Sequence, residues 1–467
     1  MKKNRLGLKK RIKRSNLLYS KALKTIASGT NTFSRAPGVF PDGASPKFLE
    51  KQKGSRVWDV DGNQYIDMVM GCGPVTIGHA NKKINLAITK QLKKGILFSM
   101  LNPLEVELAE LLIKCIPSAE MVKFSKNASD VCAASVRLAR FVTGRKMIFC
   151  YGYHGFHDWY VGTTDRNGGI PQEIKKLTKV FDYGNLESLE KMFKKYKNQV
   201  AAVIMEPVIG QRQICSYNNR KNQRKFARPC SGCNQVKTLK KIKNLAHKNG
   251  SLFILDECIS GFRFNIGGAQ NYFGVKADLS IFGKGLTNGM PLGVLTGKKK
   301  YMKHFDKVFL SSTYAPEALT LAAAIETIKF LKKNNVISSL WNKGEYLEKK
   351  FLEVIKKYSL ENNVSLAGYP VRLMVNTHFS DGVQDPMLAT LYQQEMFKNG
   401  ILCFSGVLML SYELSTNDLK IIVEAFDKTC SVISKALRSN KSIKSFLRCK
   451  PMSPVFKGLR ERNAVSN

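Results

Sequence analysis

From about residue 82 onward, short and mostly apolar runs alternate with stretches of helical periodicity, and no other feature of the chain restricts its fold so strongly. The runs have strand length: Met147 to Cys150, Val200 to Met205, Leu252 to Leu255, Leu279 to Phe282 and Val294 to Thr296. A strand apolar at every position must be buried on both faces, which predicts an α/β domain whose mainly parallel sheet is covered by helices. Glu105 to Lys114 and Val131 to Phe141 read as two of those helices. Ligands of such sheets bind outside the carboxyl ends of the strands, so those ends are where chemistry is to be sought.

The rest of the chain is different in character. Lys9 to Ile26 reads as an N-terminal helix, followed by a turn-rich segment with Gly29, Pro37, Gly38, Pro41, Gly43 and Pro46. Arg56 to Asp67 reads as two short strands around Asp61-Gly62, a hairpin signal. Beyond about residue 330 the pattern is α+β, with helices over Leu340 to Lys356 and Asp418 to Ala436 and a strand-like Val371 to Val375. With 467 residues the chain suits more than one domain. The expected division is 1–80 as an N-terminal segment and part of a small domain, and 81–330 as the large ligand-binding domain. Residues 331–437 form the C-terminal small domain and 438–467 a loose basic extension.

Composition excludes several classes. At 44% hydrophobic and 10% aromatic content the chain is neither disordered nor membrane-spanning. Its basic N-terminus leads into no secretory apolar core, so a cytoplasmic location is expected. Eleven cysteines without such a signal read as free thiols, mostly small buried apolar residues such as Cys115, Cys132 and Cys430. Lys and Arg number 75 against 35 Asp and Glu, a net charge of +40 that is spread along the chain and densest from Lys2 to Arg14. This reads as a solvated basic surface, with at most weak association with anionic surfaces and no specific nucleic-acid partner.

Two strand ends carry the chemistry. Leu252 to Leu255 leads into Asp256-Glu257, and Leu279 to Phe282 leads into Gly283-Lys284-Gly285. The flanking glycines are expected to let the backbone turn sharply at the lysine. An amine beside a carboxylate at an enclosed sheet edge suits Schiff-base chemistry with an aldehyde. Pyridoxal 5'-phosphate supplies such an aldehyde, and its ring nitrogen needs a carboxylate partner, for which Asp256 is placed. Taken alone, the two residues read more readily as a structural ion pair, since such pairs are common. Three further features favour the cofactor. Phe124 to Asp130 enters a helix whose N-terminus suits a phosphate, with Ser129 or Asp130 as candidate caps. Tyr153, followed by His154, comes just after the strand ending at Cys150 and suits ring stacking. Glu206 ends the strand Val200 to Met205 at the same edge.

The segments VWDVDGNQYID, GPVTIGHAN, VRLARFVTGR, YHGFHDW, IMEPV, LDECISGFRF, GGAQNYFGVKADLSIFGKGLTNG and STYAPEAL, in this order, are similar to those of the class III aminotransferases. Within that family the chain resembles the branch that includes glutamate-1-semialdehyde 2,1-aminomutase, over roughly residues 20 to 435. The resemblance implies the fold type I architecture of pyridoxal-phosphate-dependent transferases: a large domain with a mainly parallel seven-stranded sheet, and a smaller α+β domain formed from both chain ends. It implies that Lys284 forms the Schiff base and then shuttles a proton, and that Asp256 pairs with the ring nitrogen. Tyr153 would stack on one face of the ring and Cys258 pack on the other, with His154 and Glu206 nearby. Asn127, Ala128 and Ser129 would cradle the phosphate. Thr313 would complete that site from a second subunit, which implies a homodimer with shared active sites. Arg35 matches the position at which the aminomutase holds a substrate carboxylate.

The chain also departs from the family pattern. Ala128 stands where glycine is usual, and a positive φ there would be strained. Ala315-Pro316 replaces a glycine-containing loop, and Cys72 stands where the aminomutase has a tryptophan. KNASDV and YHGFHDW look closer to a sister branch acting on precursors of surface polysaccharides or other small carbonyl compounds. The expected activity is therefore transfer of an amino group from an amino acid to such an acceptor. The alternatives are the aminomutase reaction, which makes 5-aminolevulinate, and a catalytically weak basic binding protein on the same fold. No metal is expected. Cys215, Cys230 and Cys233 lie in a basic insertion, with His247 too distant to make a convincing fourth zinc ligand. His157 is a candidate neighbour of the active site, while His79, His304 and His378 are expected to be structural or on the surface.

Overall fold

A computed structural model describes residues 11–208, 234–379, 385–453 and 455–456. Strands are numbered along the chain. One compact unit holds the described residues up to Cys72, Thr76–Asn81, and those from Ser339 onward. Its first sheet pairs β1 (Leu49–Lys53), β2 (Arg56–Asp59) and β3 (Gln64–Asp67) antiparallel, and adds the short β13 (Ile401–Leu402) parallel to β3. The β2–β3 pair is the hairpin expected around Asp61-Gly62. A second sheet consists of β11 (Val364–Tyr369), β12 (Arg372–Thr377) and β14 (Val407–Met409). The described part of the C-terminal extension is not loose. Arg448 N donates to Gln394 Oε1, Met452 N to Thr390 Oγ1 and Ser453 N to the carbonyl of Gly38.

The second unit, Gly73–Val75 with Lys82–Ser338, carries the large sheet. Its strands are β4 (Met121–Ser125), β5 (Met147–Tyr151), β6 (Thr178–Val180), β7 (Val200–Met205), β8 (Leu252–Asp256), β9 (Leu279–Phe282) and β10 (Gly293–Gly297). Their spatial order is β4-β10-β9-β8-β7-β5-β6, with β10 antiparallel to both neighbours and every other pairing parallel. The continuous apolar runs behave as expected: every residue of β7, β8 and β9 is buried. The three-residue β6 has only Val180 as a bulky apolar residue and gave no such signal.

Pairing register brings the chemical residues to one edge. Asp256 lies opposite Ile281, so the ends of β8 and β9 are neighbours and Lys284 follows shortly after. Met205 lies opposite both Leu255 and Tyr151, which places Glu206 and the Tyr153 loop beside them. On the other side, β10 starts at Gly293, opposite Ser125 at the end of β4. The helix that follows spans Ala128–Thr143, three residues earlier at its start than the apolar pattern suggested. Its cap is Asn127, whose side chain accepts from Asp130 N, rather than Ser129 or Asp130. Gly144 ends it in the left-handed region. Val131, Cys132, Ser135, Leu138 and Ala139 repeat at helical spacing and form its buried face.

The close approach of β10 to this helix start depends on one missing side chain. A Cβ at Gly293 would sit 2.0 Å from the Asn127 carbonyl oxygen. Backbone cannot give way there as a flexible side chain would. Gly293→Ala is expected to destabilise the fold by about 2 kcal/mol or more, read as a drop in thermal midpoint. Gly168→Ala, with nothing within 4 Å of the added carbon and no left-handed φ, should change stability by no more than about 0.5 kcal/mol.

Candidate active site

The centre of the sheet edge is a buried carboxylate. Asp256 is 3% exposed, and three groups from separate segments donate to it. His154 Nδ1, from the loop after β5, lies 2.8 Å from Oδ2. Cys132 Sγ, from helix Ala128–Thr143, lies 3.5 Å from the same oxygen. The backbone N–H of Cys258 lies 3.0 Å from Oδ1. His154 is itself buried, with Nε2 3.2 Å from the Tyr151 carbonyl and its ring lying parallel to Trp159 and edge-on to Tyr160. A carboxylate so deep requires such donors, because burying one without partners costs several kcal/mol.

Lys284 lies at the adjacent strand end. Its backbone is left-handed, with φ 41°, whereas neither Gly283 nor Gly285 has a positive φ. The sharp turn is therefore made by the lysine itself and not by its flanking glycines. Gly283 serves close packing instead: a Cβ there would meet the Leu292 carbonyl at 3.1 Å and Cys258 Sγ at 3.4 Å. Burial pushes the Cys258 thiol up to about 12, against the opposing pull of the Lys284 ammonium. Burial and the Asp256 charge hold Cys132 well above the ordinary thiol range. Both cysteines are thus neutral thiols at physiological pH and serve as packing and donor groups, not as nucleophiles.

The remaining residues surround these. Tyr153 is 48% exposed, lies edge-on to Tyr160 and donates its N–H to Glu206 Oε1 at 2.9 Å. Gly155, with φ 98°, brings this loop onto the helix start, since a Cβ there would strike Ser129 Oγ at 2.1 Å. At the helix N-terminus, Asp130 accepts from Ser125 Oγ and Asn127 Nδ2, and lies 3.3 Å from His157 Nε2. His157 thus adjoins the start of this helix. Ala128 has no positive φ and opens the helix without strain, so the glycine of the family pattern is not needed for backbone geometry. Lys126 reaches across to Glu317 at 2.8 Å. Thr313 lies exposed in the same unit, and Arg35 lies exposed on a one-turn 3-10 helix of the other. His247 is bonded to Asp278, while Cys215, Cys230 and Cys233 lie outside the described residues.

The model of the class III aminotransferases matches residues 40–225 and 231–422. This chain belongs to the class III aminotransferases. The 3-aminobutyryl-CoA aminotransferase of Cloacimonas acidaminovorans (strain Evry) is 33% identical, over 92% of this chain and 99% of that protein. The glutamate-1-semialdehyde 2,1-aminomutase of Aquifex aeolicus is also 33% identical, over 81% of this chain and 88% of its own length. Among solved structures, the FumI protein of Sphingopyxis sp. MTA144 shares the fold with a TM-score of 0.81 at 23% identity, covering 93% of this chain and 100% of that one. An omega-transaminase from Sphaerobacter thermophilus does so with a TM-score of 0.77 at 22% identity, covering 90% and 97%.

As a class III aminotransferase the chain uses pyridoxal 5'-phosphate, and the residues at the sheet edge fit that group. A buried carboxylate and an amine stand at neighbouring strand ends. Beside them a capped helix N-terminus is packed so closely that Gly155 and Gly293 have no room for a side chain. Cys132 was not foreseen as a site residue, because a cysteine in an alanine-rich helix carries no sign of the carboxylate it faces.

Glu257, next to Asp256, is fully buried and accepts from Ala269 N, Gln270 N and the Ser260 hydroxyl. Burial outweighs these donors and raises its carboxyl from 4.5 to about 7. Between those two values the folded chain holds a proton that the unfolded chain has lost. Stability should therefore fall as pH rises from about 4.5 to 7 and level off above. Denaturant unfolding across that range should show the slope in wild type and a flatter profile in Glu257→Gln.

Proposed function

We propose that this chain transfers an amino group between an amino-acid donor and a small carbonyl acceptor, with Lys284 as the reacting amine and Asp256 as the partner of the ring nitrogen. The observation that carries the reading is the placing of these two groups at adjacent strand ends, β9 and β8, around the Cys258 thiol. Bound pyridoxal phosphate supplies an aldehyde that takes up an amine and a protonated ring that withdraws electrons. Lys284 Nζ would hold the group through its aldehyde and, when free, would serve as the base that moves a proton at the substrate carbon. Asp256 would accept from the ring N–H and so favour the protonated ring nitrogen. Asn127, Ala128 and Ser129 would present the helix N-terminus to the phosphate, and Tyr153 and Cys258 would pack against the ring.

The aminomutase reaction is the second reading, favoured by relatives of that name at 33% identity and by Arg35, which matches the position at which the aminomutase holds a substrate carboxylate. Complementation of a strain that requires 5-aminolevulinate separates the two. Growth would establish the aminomutase, whereas turnover with amino donors and carbonyl acceptors without growth would establish the transferase. No described helix is long and apolar enough to cross a membrane. The eight described cysteines are all free, which supports a reducing, cytoplasmic location.

A homodimer is part of the same proposal. Met100 and Leu101 are 84% and 87% exposed, and Leu97, Phe98, Phe309 and Tyr314 are exposed as well. Ala318 N donates to the Ile96 carbonyl, so the chain that follows Thr313 meets the start of the segment carrying Leu97 to Leu101. Large apolar side chains exposed close together in sequence, as from Leu97 to Leu101, suit an interface between subunits.

Two outcomes are expected. Purified protein with added pyridoxal phosphate should show a visible absorbance band that Lys284→Ala abolishes, and kcat should fall by at least about 100-fold. A colourless wild type would refute the reading. Sedimentation should give a dimer for wild type, and Met100→Glu with Leu101→Glu should shift it toward monomer and weaken cofactor binding.

A further inference from the structure

Asp256 has two oxygens, and the structure treats them differently. Oδ2 receives both side-chain donors, His154 Nδ1 at 2.8 Å and Cys132 Sγ at 3.5 Å. Among the described residues Oδ1 receives only the Cys258 N–H at 3.0 Å. An ionised carboxylate offers about four lone-pair sites, two on each oxygen. The protein thus fills Oδ2 and leaves a vacant acceptor site on Oδ1. All three of Asp256, His154 and Cys132 are at most 3% exposed, so water does not compete for these bonds as it would at a surface.

The position of Cys132 adds a second consequence. It lies on helix Ala128–Thr143, whose capped start at Asn127 is the proposed phosphate cradle. Little more than one helical turn, about 5.4 Å of rise, separates the cradle from the thiol. A single rigid element therefore sets both the phosphate anchor and one of the bonds that orient the ring-nitrogen anchor.

We propose that Cys132 is a positioning residue for the cofactor: its thiol donates to Asp256 Oδ2, turns Oδ1 toward the pyridine N–H, and ties that alignment to the helix that binds the phosphate. The inference rests on the aminotransferase reading above and extends it to a residue with no contact of its own to the substrate. The bond requires the neutral thiol, and burial together with the adjacent carboxylate keeps it neutral.

The test compares wild type with Cys132→Ala, Cys132→Val and Cys132→Ser. Alanine and valine remove the donor, while serine restores one of nearly the same size. Each protein is stripped of cofactor, its thermal midpoint is recorded, and pyridoxal phosphate is titrated back. Cys132→Ala is expected to weaken cofactor binding by about 3- to 10-fold, the range for one hydrogen bond. It should also shift the pH at which the visible band changes, and lower kcat while leaving KM for the amino donor near the wild-type value. Cys132→Ser should stay within about 2-fold of wild type in affinity and keep the wild-type pH profile. Should valine prove too bulky to fold, the alanine–serine pair carries the comparison alone.

Equal affinities and identical pH profiles for alanine, serine and wild type would make Cys132 a packing residue and overturn the proposal. A serine variant as impaired as alanine would overturn it too. Failure of wild type to bind pyridoxal phosphate would be a different result, since it removes the aminotransferase reading itself.

Discussion

A carboxylate in the interior of a sheet edge is costly to bury unless its oxygens are hydrogen-bonded. Asp256 meets that condition with donors from the helix after β4, the loop after β5 and its own following turn. Each segment is held in turn by the central sheet: β5 and β8 through β7, and the helix through its buried face of Val131, Ser135 and Leu138. The parallel topology therefore does more than bury apolar strands. It brings three distant stretches of chain to one carboxylate and places an amine at the next strand end.

Much of this could be read from the residues. β7 and β9 match their apolar runs residue for residue, and β8 extends its run only by Asp256, because a strand buried on both faces is apolar at nearly every position. Asp256 and Lys284 followed from the rule that ligands lie beyond strand ends. What remained hidden was of two kinds. Edge elements such as β6 and the fully exposed β1 bury too little to leave a pattern. Side-chain partnerships across the sheet, such as Cys132 with Asp256 or Lys126 with Glu317, depend on packing distances that no local spacing encodes. The strain anticipated at Ala128 does not arise, since the helix begins one residue after Asn127 and that position takes an ordinary conformation.

The net charge of +40 takes on a clearer form in the folded chain. Asp59, Asp67, Asp256, Asp278, Glu206 and Glu257 are among the buried acids, whereas Arg263 is the only buried Lys or Arg among the described residues. Burial removes negative charge from the surface and leaves the lysines there. Such a surface attracts carboxylate-bearing small molecules over distances comparable to the screening length, about 8 Å at physiological salt. Amino-acid donors are of that class.

Lys284 occupies a backbone conformation that suits glycine better than any side chain bearing a Cβ. An L-residue held there costs of order 1 kcal/mol, which the surrounding sheet edge must overcome. A glycine at this position would relax the turn. The folded state thus gives up some stability to hold the proposed reacting amine at the mouth of the sheet, and the sequence best adapted to this backbone would be one that had lost that amine.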